Sequence, residues 1–185
     1  MAEKNGQGIE VKDLSSTSFG YIIAFLLHGL LGLYGLSLWS KSIEALIKPA
    51  TSIDATVGPS FLVLLAALTT GLIIGAIRFY LYEKWICKNH HFPPDLFTKL
   101  GIGEKLIVFR AVVDEHYRYH QFFGGCSVSL LIVFPRWLWN AWPALTCASA
   151  ILVIVAFIFL EIVLGAAARD ALIFYVRRGN DIVQG

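Results

Sequence analysis

Four apolar runs dominate the pattern of hydrophobic and polar positions along the 185-residue chain. The first two, at 19–39 and 58–82, are long enough as helices to cross the roughly 30 Å of hydrocarbon in a bilayer. The fourth, at 145–168, contains a single carboxylate and continues into a more polar segment. Because a chain that spans a bilayer must satisfy its backbone hydrogen bonds internally, runs of this length predict transmembrane helices.

The third run, 122–142, is interrupted by Pro135 and Arg136 and needs an argument of its own. Three tryptophans near its end have the amphipathic character of residues that lie at the level of the lipid headgroups. As a helix the run spans about 30 Å, and an arginine side chain can extend from there to the membrane surface. The sequence therefore predicts an all-α, polytopic fold, a single membrane domain over 1–185 with four transmembrane helices.

The polar segments between and after these runs have helical patterns of their own. From 104 to 121, apolar residues recur at helical spacing and charged residues occupy the other faces. This pattern predicts an amphipathic juxtamembrane helix before the third span. The segment 169–185 is predicted to extend the last helix out of the bilayer, on the same side as the loop 83–121.

Composition supports the membrane assignment, and the distribution of charge predicts the orientation. Hydrophobic residues make up 57% of the chain and charged residues 15%, whereas soluble domains have about 25% charged residues. Of the 15 lysines and arginines, Lys41, Lys48 and Arg136 lie on the side of the first and third loops. The other twelve lie on the side of both termini and the middle loop, and the positive-inside rule places that side in the cytoplasm. We therefore expect an integral membrane protein with both termini cytoplasmic.

A cluster of polar residues just before the third span is a candidate for chemistry. The stretch DEHYRYHQFFGG contains His116 and His120, whose spacing places both imidazoles on one face of a helix, as in helical metal pairs. With three further residues of the same loop they could form a zinc or iron site of a membrane-embedded enzyme. These three are Cys87, His90 and His91.

A second interpretation explains more of the same cluster without a cofactor. The aromatic and basic side chains of an interfacial helix belong at headgroup level, and there the histidines would pack against tyrosines or pair with acids. The residues concerned are Glu115, His116, Arg118 and His120. We therefore expect no cofactor and keep the metal-dependent enzyme as the alternative.

Three ionisable residues are predicted to lie within the membrane: His28, Arg78 and Glu161. Such side chains are costly at bilayer depth unless they face a partner or water, which makes each a candidate functional residue. By rise per residue, His28 lies near mid-membrane, Glu161 closer to the cytoplasmic side and Arg78 at that boundary. We expect Arg78 and Glu161 to form an ion pair, with Asp170 as a rival partner for Arg78. The pair would either lock two spans together or belong to a proton or ion relay.

Small residues predict where the helices approach closely. Glycines recur at every third position in the first span and at a four-residue spacing in the second, and both patterns let a neighbouring backbone come near. The residues are Gly29, Gly32, Gly35, Gly71 and Gly75. The pattern leaves open whether the partner helix belongs to the same chain.

Three stretches of the sequence carry a family resemblance: SFGYIIAFLLHGLLGLYGLSLWS, AIRFYLYEKW and EHYRYHQFFGG. Through them the chain resembles an uncharacterised family of small bacterial four-helix membrane proteins. The resemblance covers most of the chain and implies the four-helix topology and a place in the bacterial inner membrane, without an activity.

The sequence predicts a non-enzymatic protein that forms homo-oligomers among membrane lipids. Short loops, a basic and aromatic cytoplasmic collar and a protruding C-terminal helix suit a membrane sensor, a scaffold or a pore-type effector. A cytoplasmic protein would dock through 83–121 and 169–185, and no direct binding of nucleic acid is expected. Small membrane proteins of this kind serve in bacterial antiviral defence, which is an analogy of architecture alone.

Overall fold

The computed structural model describes residues 11–52, 56–88 and 104–184, and over these ranges the chain is helical without β-strands. The α-helices are α1 Val11–Trp39, α2 Lys41–Ile47, α3 Val57–Arg78, α4 Glu104–Ala141 and α5 Cys147–Gln184. Short 3₁₀ turns occur at Lys48–Ala50 and Trp142–Ala144, and a π-helix, Phe79–Ile86, continues α3. The all-α class predicted from the sequence is confirmed.

Three helical segments are long and apolar enough to cross a membrane: Val57–Ile86, His116–Ala144 and Cys147–Gln184. Helices of this length and composition mark an integral membrane protein. Among the residues whose side chains the structure describes, α1 contributes a shorter apolar stretch, Phe25–Trp39. The fourth crossing depends on α1 and stays a prediction.

The two longest helices, α4 and α5, have 38 residues each and therefore extend about 57 Å. The amphipathic segment 104–121 is the first part of α4 and not a separate element, and α4 continues through Pro135. Likewise, α5 carries its apolar run directly into the polar C-terminal segment. Both helices are longer than the roughly 30 Å of hydrocarbon that a bilayer offers.

The central helix of the bundle is α4. Helices α1 and α5 pack along it, while α3 packs mainly against α1 and more lightly against α4. At one end, Trp39 Nε1 donates to the Ile132 carbonyl at 3.1 Å. Arg136 Nε donates to the Leu38 carbonyl at 3.0 Å, and its guanidinium lies over the Trp39 ring. Arg136, which we expected to extend to the membrane surface, is thus held against α1.

Helices α1 and α3 approach each other through Gly29 and Gly71. A methyl group added to Gly29 would overlap the carbonyl oxygen of Ala67, and one added to Gly71 would overlap the carbonyl oxygen of Phe25. A methyl group on Gly71 would also lie 3.4 Å from the Gly29 Cα. The two glycines therefore face each other, and the partner helix lies in the same chain.

The remaining glycines of the predicted packing set lie at two helix contacts. Gly32 and Gly75 belong to the contact between α1 and α3. Gly35 lies against α4, where an added methyl group would come within 2.8 Å of a Val133 methyl. Small residues thus bring α1 close to both of its neighbours.

The apolar surface of α5 is largely uncovered in a single chain. Only 6% of its most apolar stretch is buried, against 33% for that of α4. The exposed large side chains of this stretch are Ile151, Leu152, Val155, Ile158, Phe159, Leu160, Ile162 and Val163. Lipid or another protein must cover this face in a membrane.

Candidate functional site

A buried ion pair lies where α3 passes into the π-helix. Arg78 is the last residue of α3 and 4% exposed, and its Nη1 donates to Glu83 Oε1 at 3.1 Å. A π-helix has hydrogen bonds between residues five apart, as in the Cys87 amide, which donates to the Tyr82 carbonyl. Glu83 also lies five residues after Arg78, so the wider turn brings the two side chains together.

This pair replaces the one expected from the sequence, in which Arg78 joined Glu161. That expectation assumed the 3.6-residue turn of an α-helix and assigned Glu83 to a loop. Asp170, the rival partner, lies 3.8 Å from Arg169, and both side chains are more than half exposed. Among the described residues, Arg78 is therefore neutralised within its own helical segment, and no salt bridge links it to α5.

Two side chains of α4 complete the surroundings of Glu83. The Tyr117 hydroxyl donates to Glu83 Oε1 at 3.2 Å, and the Arg78 guanidinium lies 5.9 Å from the centre of the Tyr117 ring. His120 Nε2 lies 3.6 Å from the same carboxylate oxygen. We name these four residues the charged cluster. One oxygen of the Glu83 carboxylate, Oε1, faces a permanent cation, a hydroxyl donor and an imidazole.

His120 connects the charged cluster to α5. Its side chain is fully buried, and its Nδ1 lies 2.8 Å from the Ala168 carbonyl oxygen. Because a carbonyl oxygen only accepts, Nδ1 carries the hydrogen of this bond. The other nitrogen, Nε2, faces Glu83.

A second polar group consists of Tyr82, Ser127 and Glu161, and we name it the hydroxyl chain. The Tyr82 hydroxyl donates to Ser127 Oγ at 3.0 Å, and Ser127 Oγ donates to Glu161 Oε2 at 2.6 Å. Tyr82 and Ser127 are both buried, and Glu161 Oε1 is buried without a hydrogen-bond partner among the described residues. Ser127 lies about 10 Å along α4 from His120. The hydroxyl chain thus joins the π-helix, α4 and α5 further along the bundle.

His28 holds α1 against α3 and α4. Its ring is 1% exposed, and its Nε2 donates to the Gly71 carbonyl at 3.1 Å. A methyl group added to Gly125 would come within 2.7 Å of the ring. Ser129 Oγ lies 2.8 Å from the carbonyl oxygens of both His28 and Gly125. These contacts are those of a histidine that fixes the packing of three helices.

The predicted cytoplasmic cluster does not converge on one point. The His116 ring packs against Phe174 at a centroid distance of 6.1 Å, whereas His120 Nε2 faces Glu83. Arg118 is partly buried in α4. Glu115 also lies in α4, but its side chain is outside the part of the chain that the structure describes. The two histidines share a helix face and make different contacts.

The other candidate metal ligands are Cys87, His90 and His91. Cys87 is 1% exposed, and burial raises the pKa of its thiol, which disfavours the thiolate form that binds metals. His90 and His91 lie outside the described residues. Among the residues that are described, no group of three or more histidine, cysteine, aspartate or glutamate side chains could hold a metal ion. The absence of a cofactor stays a prediction.

No family model, curated protein or solved structure matches this chain. The resemblance to a four-helix family therefore stays a prediction, and the function has to be inferred from the geometry of the site.

Five polar residues of the site were not singled out from the sequence: Tyr82, Glu83, Tyr117, Ser127 and Ser129. The available signal for Glu83 was its spacing of five residues from Arg78, which only a π-helix makes meaningful. For the serines, the signal was their position in GGCSVS at the start of an apolar run. Hydroxyl groups inside a span form hydrogen bonds with neighbouring helices.

Proposed function

We propose that the chain is a four-span protein of the bacterial inner membrane that forms homo-oligomers and docks a cytoplasmic protein. It would act as a sensor, a scaffold or a pore-type effector, and antiviral defence is one setting for such a device. The observation that carries the proposal is that α4 and α5 run unbroken from their apolar segments into a paired polar extension. A continuous helix pair is a direct mechanical connection between the bilayer and a soluble partner.

The polar ends of α4 and α5 pair to form a stalk, which we define as residues 104–120 and 169–184. Its apolar contact centres on Phe109, which is 5% exposed. Phe109 packs against three residues near the end of α5: Tyr175, Ile182 and Val183. This contact keeps the two helices together beyond the transmembrane bundle.

The base of the stalk is joined to the charged cluster. The rings of Tyr117 and Tyr175 lie 4.8 Å apart, and the Tyr117 hydroxyl donates to Glu83. His120 donates to the Ala168 carbonyl and faces the same carboxylate. A displacement of α5 along α4 would therefore change the contacts of Glu83, and a change at Glu83 would act back on α5. Such reciprocity is what coupling between two sites requires.

The middle of the α5 part of the stalk offers two basic side chains. Arg177 and Arg178 are adjacent and exposed on α5, and the chain carries more basic than acidic residues overall. A protein partner with an acidic surface would complement them, since electrostatic complementarity gives both specificity and a faster association rate. We therefore place the docking surface on the stalk.

Four crossings would require α1 to complete the bundle in the membrane. The apolar run 19–39 is about 30 Å long as a helix, and α1 packs against both α3 and α4. Reporter fusions at Asp54 and Gly185 should then give opposite signals, because three crossings separate them. Fusions at Gly6 and Asp54 should also give opposite signals, because α1 alone would cross between them. Equal signals from either pair would exclude the four-span topology.

Site-specific photo-crosslinking in living cells tests docking and assembly together. A photoreactive residue at Asp181 should form an adduct with one cytoplasmic protein, and the same residue at Phe159 should form a dimer of this chain. Trp139, exposed on α4 far from the stalk, is the matched control and should form neither. Charge reversal by Arg177→Glu with Arg178→Glu should abolish the first adduct and preserve the dimer. If the photoreactive residue at Asp181 forms no adduct, docking through the stalk is refuted. If the protein in lipid nanodiscs has the mass of a single chain, the homo-oligomer is refuted.

A further inference from the structure

We propose that Glu161 is a proton-binding site inside the membrane and that Tyr82 and Ser127 carry protons to it from the π-helix. This role goes beyond the docking function, uses different residues and does not depend on the identity of a partner. It rests on the two hydrogen bonds of the hydroxyl chain and on the buried Glu161 Oε1, which has no hydrogen-bond partner among the described residues.

The surroundings of Glu161 favour a neutral carboxyl. Its neighbours Leu160 and Ile162 are exposed apolar side chains within the apolar run of α5. Oε2 accepts a hydrogen bond from Ser127, while Oε1 is buried and has no partner among the described residues. A carboxylate that has a single hydrogen-bond donor within an apolar run is costly as an anion. A bound proton removes that charge.

The charged groups around the hydroxyl chain do not supply this compensation. Arg78 lies within electrostatic reach of Tyr82, as does the Cys87 thiol, but the Arg78 guanidinium is paired with Glu83 at 3.1 Å. Among the described residues, Glu161 itself forms no salt bridge. A proton is therefore the ligand that the site can take without rearrangement of the charged cluster.

The hydroxyl chain provides a path for this proton. Ser127 transfers its hydroxyl proton to Glu161 Oε2 and receives a proton from the Tyr82 hydroxyl. The Tyr82 hydroxyl in turn receives a proton from outside the hydroxyl chain. Each hydroxyl loses one proton and gains one, so only the carboxylate changes charge. The direction of both hydrogen bonds reverses during the transfer. The bonds at 3.0 and 2.6 Å are already in place for it.

Infrared spectroscopy of the full-length protein in lipid bilayers tests the proton site. A protonated carboxyl has a carbonyl stretch that a carboxylate lacks. At neutral pH the wild-type spectrum should contain this band, and Glu161→Gln should lose it. Asp170→Asn is the matched control and should retain it, because Asp170 is an exposed carboxylate beside Arg169 on the same helix. Absence of the band at neutral pH, or its persistence in Glu161→Gln, would overturn the assignment.

Exchange into D₂O tests the path. The band should shift as deuterium replaces the proton, and Tyr82→Phe, which keeps the ring and removes the hydroxyl, should slow this shift by about tenfold or more. Ser127→Ala should slow it in the same way. Ser129→Ala is the matched control and should exchange at the wild-type rate, because among the described residues the Ser129 hydroxyl bonds only to the backbone carbonyls of His28 and Gly125. An unchanged rate in Tyr82→Phe, or an equal effect of Ser129→Ala, would overturn the path.

Discussion

Removing both members of the Arg78–Glu83 pair should destabilise the protein by less than the sum of the two single removals. The side chains are 4% and 18% exposed, so either one left alone is a charge with little access to water. Glu83→Gln should cost about 3–5 kcal/mol, because Arg78 then has no carboxylate beside it. Arg78→Gln should cost about 3 kcal/mol, the lower end of that range, because Glu83 keeps the Tyr117 donor and the nearby His120 imidazole.

Reversible unfolding in mixed micelles, followed by tryptophan fluorescence, measures these free energies. The double variant should be destabilised by about 1–3 kcal/mol less than the sum of the single variants. Asp170→Asn, which removes the exposed contact with Arg169, is the control and should cost less than about 1 kcal/mol. If the two single effects add to within about 0.5 kcal/mol, Arg78 and Glu83 are not coupled and the interpretation of the π-helix is wrong.

Three further predictions concern packing, thiol accessibility and metal content. Gly29→Ala should cost about 1–3 kcal/mol in the same unfolding measurement, because the new methyl group would overlap the backbone of α3, whereas Gly58→Ala meets nothing within 4 Å and should be neutral. Maleimide treatment of the folded protein, followed by peptide mapping, should show the exposed Cys147 labelled before the buried Cys87. The rate at Cys87 should increase with pH, because burial raises the pKa of its thiol and the thiolate is the reacting form; equal rates for the two thiols would contradict the buried position. Elemental analysis of protein purified without a histidine tag should show substoichiometric zinc and iron, and one tightly held metal per chain that His120→Ala removes would favour the enzyme.

The helices could be predicted from the sequence because their cause is local and repeated. Apolar runs of about 20 residues have few alternatives to a transmembrane helix, and three of the runs lie in helices that are long enough to cross a bilayer. The glycine faces of α1 and α3 follow the same logic, since glycines at helical spacing mark a face that a backbone can approach, although the sequence left open which helix each face meets. Gly29 and Gly71 meet there.

The polar partners could not be predicted, because they depend on a backbone irregularity and on contacts between helices. An α-helix would rotate Glu83 about 140° away from Arg78, so regular geometry directed the search for a partner toward α5. The π-helix instead brings Glu83 close to Arg78. Two hydrogen bonds also join the π-helix to α4, one from Tyr82 to Ser127 and one from Tyr117 to Glu83. Pairings of this kind cannot be predicted from the hydrophobic periodicity of a single helix.

The π-helix explains why two polar networks coexist in an apolar bundle. Adjacent residues of one helical segment serve both, since Tyr82 begins the hydroxyl chain and Glu83 is the centre of the charged cluster. The negative charge of Glu83 in the charged cluster is neutralised by Arg78, whereas Glu161 at the end of the hydroxyl chain has no cation beside it among the described residues. A change in the π-helix would therefore alter the contacts of a paired carboxylate and of an unpaired one at the same time. Because α5 contributes Glu161 to one network and the Ala168 carbonyl to the other, both networks act on the helix that extends into the stalk.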